Sequence, residues 1–595
     1  MKKTQKYILT IIGFFAIINL NSCEDYLDKV QESDGIQEEA ILKDYVMFRQ
    51  YEDGMYQDLL NYLSSSDYSF ISALSDEGYV NSINWETMPI AQSGDWLRSY
   101  STGQALQFFR VWGSWRSIRI ANRVIELLPK LEGATDAQKD ELKGQAHFMR
   151  AWYYYEMLKR QGGMPYITTA FSADDSTEEF ALPRLSYHET ALKIAADCDS
   201  AAVLLPERWN QQNLGRPEKG AAMAVKAAAL LFSASPSNNP SDDQSKWELA
   251  AKASWDLLSD LGNYGNNRYS LVESNGTDKV TYKIPSVAGE KSIEYSSGFD
   301  SIFMYQPFHD EIIWENYAVS SGADNTHVVF TTRGLQYTNV IQGYSVNASF
   351  VDLFETKNGL AIGDDPDFDS QDPYINRDPR FYHSILFNGE RWTSESDRYL
   401  ELFDGGEERK SEPGYNQSGY MARKFWARNV DGFPGGISSP ITHVIYFRLA
   451  DILLQYAEAA NEIGGPNYTL PGAAISAVEA VNIVRARVQM PPVNAMYLSD
   501  KNSFRERIKN ERAVEFYLEG KRFFDLSRWG DAHKIEHKAY YADQFLENPA
   551  APTGYDINRA STPFYIRTFE QKQYKWPIPL SDAFMFEEFK QNPGW

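Results

Sequence analysis

Apolar residues recur at spacings of three and four positions along much of the chain, beginning at Glu39. This spacing places them on one face of an α-helix, so it predicts a series of amphipathic helices. The helix that begins at Trp115 ends at Pro129, and the next one closes at Gly162-Gly163, which is a typical C-terminal cap. Further helices are predicted over 186–205, 216–235, 244–261, 445–463, 473–488, 501–519 and 520–529.

Helices of similar length that follow one another in pairs are typical of helix-turn-helix solenoids of the tetratricopeptide kind. Two helical regions are predicted, over 39–261 and 441–595, and the first contains a loop-rich segment at 64–101. Residues 262–440 are richer in Gly, Asn, Ser, Asp and Tyr, contain strand-like fragments, and are too many for a single loop. The predicted fold class is mainly α, with a tetratricopeptide-like helical-pair scaffold and an irregular α/β, loop-rich insert.

The first 23 residues have the three parts of a bacterial secretory leader. Lysines come first, residues 7–20 are apolar, and this stretch is shorter than the roughly 20 residues of a membrane-spanning helix. Leu20–Cys23 is similar to a lipobox, although Asn21 is an imperfect match. We predict a signal peptide over 1–22 and a lipidated tether over 23–38 with the lipid on Cys23. The alternative is a soluble exported protein whose cysteine lies there by chance.

Charge and composition narrow the possible functions. The formal net charge is −23, from 58 basic and 81 acidic side chains, so the field repels nucleic acid and we predict no such partner. Cys23 and Cys198 are the two cysteines, which excludes an internal disulfide framework, and Cys198 is predicted to be a small buried residue. Aromatic residues make up 14% of the chain. They indicate either an aromatic-rich core or stacking platforms for flat ligands such as sugars.

Four short blocks of residues occur in order along the chain. They are Ala146, Phe148 and Arg150-Ala151 followed by Gly162-Gly163 and Pro165; Asn376–Arg380; Arg448–Asp451 with Glu458-Ala459; and Glu511-Arg512, Glu515-Phe516, Glu519-Gly520, Arg522, Asp525-Leu526 and Arg528-Trp529. With the C-terminal Gln591–Gly594, these blocks resemble the motifs of the SusD/RagB family of outer-membrane nutrient-binding lipoproteins. Gln145, Met149 and Trp595 stand where the family usually has Glu, Leu and Tyr.

The last of these blocks has a physical meaning of its own. Glu511, Glu515 and Glu519 recur every four residues, which makes a charged ridge along one helix. Like charges at this spacing repel unless cations pair with them, and the cations nearby in sequence are Arg505, Arg507 and Arg522. We therefore interpret the family blocks as determinants of the fold rather than as ligand contacts.

The resemblance implies a specific function. SusD-like proteins resemble lids over a TonB-dependent transporter of the SusC kind; they bind an oligosaccharide, or a peptide in the RagB branch, and pass it to the channel. They perform no covalent chemistry, so no enzyme activity and no cofactor is predicted. Glu24-Asp25 after the lipidated cysteine resembles the surface-export signal of Bacteroidetes lipoproteins. It favours an outer-membrane location facing the exterior. A glycan hydrolase and a scaffold that binds only protein remain alternatives.

The resemblance also implies that loops, not helices, supply the ligand surface. Two loop regions carry aromatic residues, which stack on pyranose rings, beside polar side chains that bind hydroxyls. The candidate ligand-binding residues are Asp76, Tyr79, Asn81, Trp85, Trp96, Arg98 and Tyr100 in the first region and Tyr305, Tyr337 and Tyr344 in the second. The alternative for each aromatic is that it fills the core. Trp85 is the strongest candidate because its loop is polar and has no apolar period, whereas Trp392 is predicted to be core.

Two patterns suggest metals but have better explanations. His533–His537 matches the H-x-x-E-H pattern of inverted zinc peptidases, but no third ligand is identifiable, and we expect a solvated helix. Asp365, Asp367 and Asp369 alternate as in a calcium loop. Ser370 and Asn376, however, stand where an EF-hand needs Gly and Glu, so an acidic solvated loop is the better interpretation. No metal site is therefore predicted.

Overall fold

The computed structural model of the chain describes residues 38–60, 71–82, 87–101, 107–171, 175–176, 179, 181–284, 290–304, 308–316, 342–392, 398–411, 415–425, 443–585 and 587–595. Helices dominate this part of the chain. They are α1 Glu38–Lys43, α2 Tyr45–Asp53, α3 Thr87–Gln92, α4 Trp96–Ser101, α5 Trp115–Leu127, α6 Asp136–Gln161, α7 Tyr187–Leu204, α8 Lys219–Ala234, α9 Gln244–Asp260, α10 Ser301–Met304, α11 Ala348–Val351, α12 Pro379–Ser384, α13 Leu449–Gly464, α14 Ala477–Ala486, α15 Lys501–Glu515, α16 Arg522–Trp529 and α17 Leu580–Ala583.

The strands are short. They are β1 Gly78–Ser82, β2 Thr277–Lys283, β3 Glu290–Ser296, β4 Ile312–Asn316, β5 Gln342–Val346, β6 Ile385–Phe387, β7 Tyr420–Ala422, β8 Val444–Arg448, β9 Ala539–Tyr540, β10 Asp543–Glu547, β11 Tyr555–Arg559 and β12 Tyr565–Ile566. They form antiparallel pairs, namely β1 with β5, β2 with β3, β4 with β8, β6 with β7, β9 with β12, and β10 with β11. The described strands therefore build ribbons rather than a large sheet.

Local sequence signals fix the ends of the long helices. At the start of α6, the Thr135 side chain accepts from the backbone N–H of Gln138, and the Gln138 side chain accepts from the N–H of Thr135. Each bond satisfies a donor that the first turn would otherwise leave unpaired. The helix ends at Gly162, which has φ 88°, a conformation that glycine adopts without steric cost. The predicted C-terminal cap is confirmed.

Consecutive helices pack side by side. Helix α6 packs on α7, α7 on α8, and α8 on α9, and α9 in turn packs on α13 from the C-terminal region. The helical stack therefore continues across the insert, as expected for paired helices that bury one face on each neighbour. The predicted mainly α fold with a tetratricopeptide-like helical scaffold is confirmed. Cys198 is buried inside this stack, as predicted.

One predicted helix boundary is wrong for a physical reason. The stretch that begins at 445 starts as strand β8, which pairs with β4, and helix α13 begins only at Leu449. All of β8 is buried, and a continuous apolar run in a buried strand has the same pattern as a buried helix. Trp392, in contrast, is core as predicted, because it packs in a small separate cluster with Leu386 and Leu402.

The charged ridge, which begins in α15 and ends at Glu519 four residues beyond that helix, is buried, not exposed. Arg448 at the end of β8 donates to Glu515 at 2.6 Å and to Glu519 at 2.8 Å, and Arg380 donates to Glu511 at 2.6 Å. Burial alone would raise the pKa of Glu515, but Arg487, Arg448 and Arg380 outweigh it and hold that pKa well below its usual range. Three of the family blocks therefore meet in one buried ion network.

The cations predicted from sequence proximity are wrong. Arg505 pairs with Glu462, Arg507 with Glu355, and Arg522 with Asp76, so none of the three contacts the glutamate ridge through these pairs. The cations that bind the ridge are Arg380, Arg448, Arg485, Arg487 and Lys424. Proximity in sequence gave the wrong partners because buried charges pair through tertiary packing.

Among the described residues, no helix combines the length and the apolar character that a bilayer crossing requires.

Candidate functional site

Strands β1 and β5 bring together the two segments that contain the candidate ligand residues. The pairing sets Gly78 opposite Val346 and Ser82 opposite Gln342. Along the chain, Trp85 comes three residues after Ser82, and Tyr337 comes five residues before Gln342. Both candidates are therefore covalently attached to the same end of this ribbon. The pairing thus connects the two predicted loop regions through one ribbon.

Beside the ribbon lies a cluster of aromatic rings, and three of them, Tyr79, Phe564 and Tyr565, define what we call the aromatic patch. The Tyr79 ring centroid lies 4.5 Å from that of Tyr565 and 5.8 Å from that of Phe564. The buried ring of Tyr540, 6.0 Å from Tyr79, supports the patch from below. Each patch residue keeps part of its surface exposed. Half-exposed rings of this kind can stack on the C–H face of a sugar.

Asp76 lies two residues before β1 and is contacted by Arg522 and His537. Arg522 donates to both of its carboxylate oxygens at 2.8 Å, and the His537 ring lies 2.7 Å away. Burial would raise the pKa of Asp76, but Arg522 and His537 outweigh it and keep the group ionised. Asp76 was a candidate for binding a ligand hydroxyl. In this structure its oxygens instead connect the ribbon to the α16 block.

Two candidate aromatics are interior residues. Trp96 is fully buried, donates its ring N–H to the carbonyl of Ala91 at 2.9 Å, and stacks on Trp595 with centroids 6.0 Å apart. Tyr344 is also buried, and its ring packs so closely on Gly78 that a Cβ there would lie 2.4 Å from it. The alternative stated for every aromatic, that it fills the core, describes these two. Neither ring offers a face to a ligand here.

The remaining candidates are distributed as follows. Arg98 is exposed on α4. Asn81 lies in β1 and Tyr100 in α4. The other candidates, Cys23, Trp85, Tyr305 and Tyr337, lie outside the described residues.

The two histidines of the H-x-x-E-H pattern do not share a helix face. Residues Ile535–His537 form a single turn of 3-10 helix, so the expected solvated helix is wrong. His533 is exposed and contacts the Tyr574 hydroxyl at 2.6 Å, whereas His537 contacts Asp76. The alternating aspartates also have ordinary partners, because Asp365 accepts from Thr356 at 2.5 Å and from Asn358 at 3.0 Å.

A groove that the sequence did not reveal lies on another part of the surface. It encloses about 930 Å³ and is lined by residues from five separate parts of the chain, with Tyr399, Phe403, Phe545 and Tyr555 as its aromatic residues. The rings of Phe403 and Tyr555 stack with centroids 5.6 Å apart, and Glu401 and Asp404 are exposed beside them. An aromatic platform flanked by carboxylates suits a sugar as well. The available signal was the alternation of aromatic and acidic residues in 399–407, which follows no helical period.

A smaller cavity of about 390 Å³ is mainly apolar, and Trp112, Trp115 and Phe589 contribute to its wall. Phe584 and Met585 next to it are 83% and 62% exposed, which is unusual for such large apolar side chains. This surface offers few partners for hydroxyl groups. It suits apolar side chains instead.

Two family models match successive parts of the chain. Residues 310–595 match the model described as the SusD family, and residues 25–231 match the model described as starch-binding associating with outer membrane. The curated SusD-like protein P38 of Formosa agariphila is 23% identical over 558 residues, covering 90% of this chain and 93% of that protein.

Solved structures agree with the fold. A SusD-like protein of Bacteroides fragilis matches with a TM-score of 0.70 at 23% identity, over 94% of this chain and 99% of the other. Surface glycan-binding protein A of Bacteroides fluxus matches with a TM-score of 0.59 at 20% identity, over 93% of this chain and 100% of the other. At such low sequence identities, the similarity shows a shared fold and nothing more.

Proposed function

We propose, because this chain belongs to the SusD/RagB family, that it binds an oligosaccharide nutrient at the outer membrane and does not transform it. In this proposal the protein is a lipoprotein anchored through Cys23 that faces the exterior. It passes its ligand to a TonB-dependent transporter of the SusC kind. The family description of association with the outer membrane and the glycan-binding name of a structural relative support the proposal.

The pairing of β1 with β5 is the observation that carries the ligand-binding part of the proposal. It connects both candidate loop segments to one ribbon, next to the half-exposed aromatic patch. Weak stacking on several rings, combined with hydrogen bonds to hydroxyls, is the ordinary way a protein surface holds a sugar. We place the ligand along this ribbon, with Trp85, which follows the Ser82 end, and the aromatic patch at Tyr79 as its stacking platforms.

Removing one stacking ring should weaken glycan binding. For Tyr79→Ala and Trp85→Ala we expect a roughly three- to tenfold rise in Kd, because one aromatic contact contributes about 0.5–1.5 kcal/mol. Affinity electrophoresis on a panel of glycans identifies the ligand, and calorimetry then gives Kd. The matched control is Tyr264→Ala, which removes a ring that is 37% exposed on the helical side.

Three outcomes would contradict parts of this assignment. If Tyr399→Ala weakens binding and the two ribbon variants do not, the ligand occupies the groove instead. A strongly lowered melting temperature in Trp85→Ala would assign that residue to the core. Shortened glycan products after incubation with the purified protein would favour the hydrolase.

The lipid anchor makes a separate prediction. Acyl chains contribute about 0.8 kcal/mol per buried methylene, so loss of the acylated cysteine removes the main membrane affinity. We expect Cys23→Ala to move the protein from the outer-membrane pellet to the soluble fraction, whereas Cys198→Ala, which alters the buried cysteine, stays in the pellet. If Cys23→Ala still pellets with outer membrane, another feature is the tether.

Peptide capture, as in the RagB branch, is the second candidate function. The apolar cavity beside Phe584 and Met585 favours it, because apolar side chains gain from burial there and sugar hydroxyls do not. Binding to a peptide library without any glycan binding, reduced by Trp112→Ala, would select this function over the first.

A further inference from the structure

The groove at Phe403 and Tyr555 is built in the same way as the aromatic patch, although other elements form it. The ring of Phe403 is partly exposed and stacks on the buried ring of Tyr555, with centroids 5.6 Å apart and an interplanar angle of 23°. Phe545 in β10 is buried as well and packs on Tyr555 in a T-shaped contact with centroids 6.1 Å apart. Two buried rings therefore fix the position of Phe403. A ring that is already fixed loses little conformational entropy when a ligand stacks on it.

Two carboxylate groups from different segments of the groove lie near the Tyr555 hydroxyl. Glu401 and Glu547 are both exposed and line the groove. Burial, together with the negative charges of Glu547 and Glu401, raises the pKa of Tyr555, so both carboxylates are close enough to act on its hydroxyl. In the described part of the chain, neither carboxylate takes part in an ion pair. Both can therefore accept hydrogen bonds from the hydroxyl groups of a ligand.

The cations of the groove wall, in contrast, already have partners. Arg398 pairs with the buried Glu408, and the ammonium group of Lys283 lies 5.7 Å from the ring centroid of Tyr399. The charge that remains for a ligand is therefore negative. It favours hydroxyl donors, since hydrogen bonds to an ionised acceptor are the stronger ones, and it repels ligands that carry carboxylate or sulfate groups.

We propose that the groove is a second carbohydrate site, separate from the ribbon, for a sugar chain without acidic groups. This role rests on the proposed function, since it requires that the nutrient is a glycan. Phe403 stacks on the C–H face of one pyranose ring, while Glu401 and Glu547 accept from its hydroxyls. The volume of about 930 Å³ falls within the roughly 300–1,000 Å³ of ordinary ligand sites.

A short stretch of chain joins the groove to the aromatic patch. Tyr540, which supports the patch, precedes Phe545 by five residues, and five fully extended residues span at most about 18 Å. A polysaccharide is long enough to occupy both sites at once. Binding at one site raises the effective concentration of the glycan at the other, so the pair captures long chains more tightly than either site alone.

Affinity electrophoresis of the full chain tests the second site, in gels that contain glycogen, laminarin or galactomannan as neutral polysaccharides and polygalacturonate as the acidic one. In a neutral gel that retards the wild type, we expect Phe403→Leu and Tyr79→Ala each to raise Kd roughly three- to tenfold and the double variant about 10- to 100-fold. Leucine keeps most of the apolar volume of Phe403. The matched control is Tyr264→Leu, which removes a ring that is 37% exposed outside the groove and should leave Kd unchanged.

Leu546→Arg is the second groove variant, because Leu546 is 57% exposed and its replacement obstructs the groove without removing a core side chain. It should weaken retention as Phe403→Leu does. If both groove variants run like the wild type while Tyr79→Ala is weakened, the second site is refuted and the proposed function stands. If no neutral polysaccharide retards the wild type, both are refuted. Retention in polygalacturonate that Phe403→Leu lowers would refute the preference for glycans without acidic groups.

Discussion

Replacing Arg448 with methionine is expected to lower the free energy of unfolding by about 3–5 kcal/mol, one of the largest effects of any single change in this chain. The guanidinium is fully buried and bonds to Glu311 at 2.8 Å, Glu515 at 2.6 Å and Glu519 at 2.8 and 2.9 Å. Methionine fills a similar volume but leaves these carboxylates with fewer cations. Uncompensated buried charge, rather than loss of packing, causes the destabilisation.

The measurement is the midpoint and slope of urea unfolding, compared with a variant of an exposed ion pair. Lys252→Met breaks the bond to Asp256 on α9, where the two side chains are 67% and 38% exposed. Exposed pairs of this kind contribute about 0.3–0.5 kcal/mol, so the control should stay close to wild type. Arg448→Lys should recover only part of the loss, because one ammonium cannot reproduce the planar fork. If Arg448→Met costs less than the control, the network does not stabilise the fold.

This network illustrates what the sequence could and could not predict. The four-residue spacing of Glu511, Glu515 and Glu519 correctly indicated a charged ridge that needs cations. Its partners come from the turn at Arg380 and the strand end at Arg448, far away along the chain. Spacing within a helix carries no information about such pairings, because they depend on how the insert folds back on the C-terminal helices. The family blocks indicated which residues matter but not that they meet.

The candidate ligand residues also show that local sequence does not reveal contacts with distant segments. Composition and loop context selected Tyr79, which lies in a half-exposed patch, and equally Trp96, which is buried. Trp96 is buried because Trp576 and Trp595, near the opposite end of the sequence, pack on it. A polar loop around a tryptophan is therefore weak evidence of exposure. Helices were predictable because their 3.6-residue period is local, whereas β8 and the groove depend on contacts between distant segments.

Replacing Glu77 should stabilise the protein, whereas replacing Arg448 should destabilise it. This carboxyl group is fully buried beside the ribbon and accepts from the backbone N–H of Leu518 at 2.8 Å and from the Ser75 hydroxyl at 3.1 Å. Burial, together with the negative charge of Asp76, raises its pKa from 4.5 to about 7, against the opposing bond from Leu518. The folded state thus holds a proton that the unfolded state releases.

The sign of the pH dependence follows from this difference. Below pH 4.5 the group is protonated in both states and does not change the stability. As the pH rises from 4.5 to about 7, the unfolded chain ionises first, and the folded state loses stability relative to it. The gap between these two pKa values corresponds to about 3 kcal/mol for a group without solvent contact. Glutamine cannot ionise, keeps the acceptor for Leu518, and avoids this loss.

We therefore expect Glu77→Gln to match the wild type at pH 4 and to exceed its free energy of unfolding by up to about 3 kcal/mol at pH 8. Urea unfolding of both proteins across this range measures the difference. Glu536→Gln, which changes an exposed carboxyl group, is the control that should show no such trend. A difference that is constant with pH would mean that Glu77 is ionised in the folded protein. In that case Arg522, which pairs with Asp76, would have to balance the negative charges of both Asp76 and Glu77.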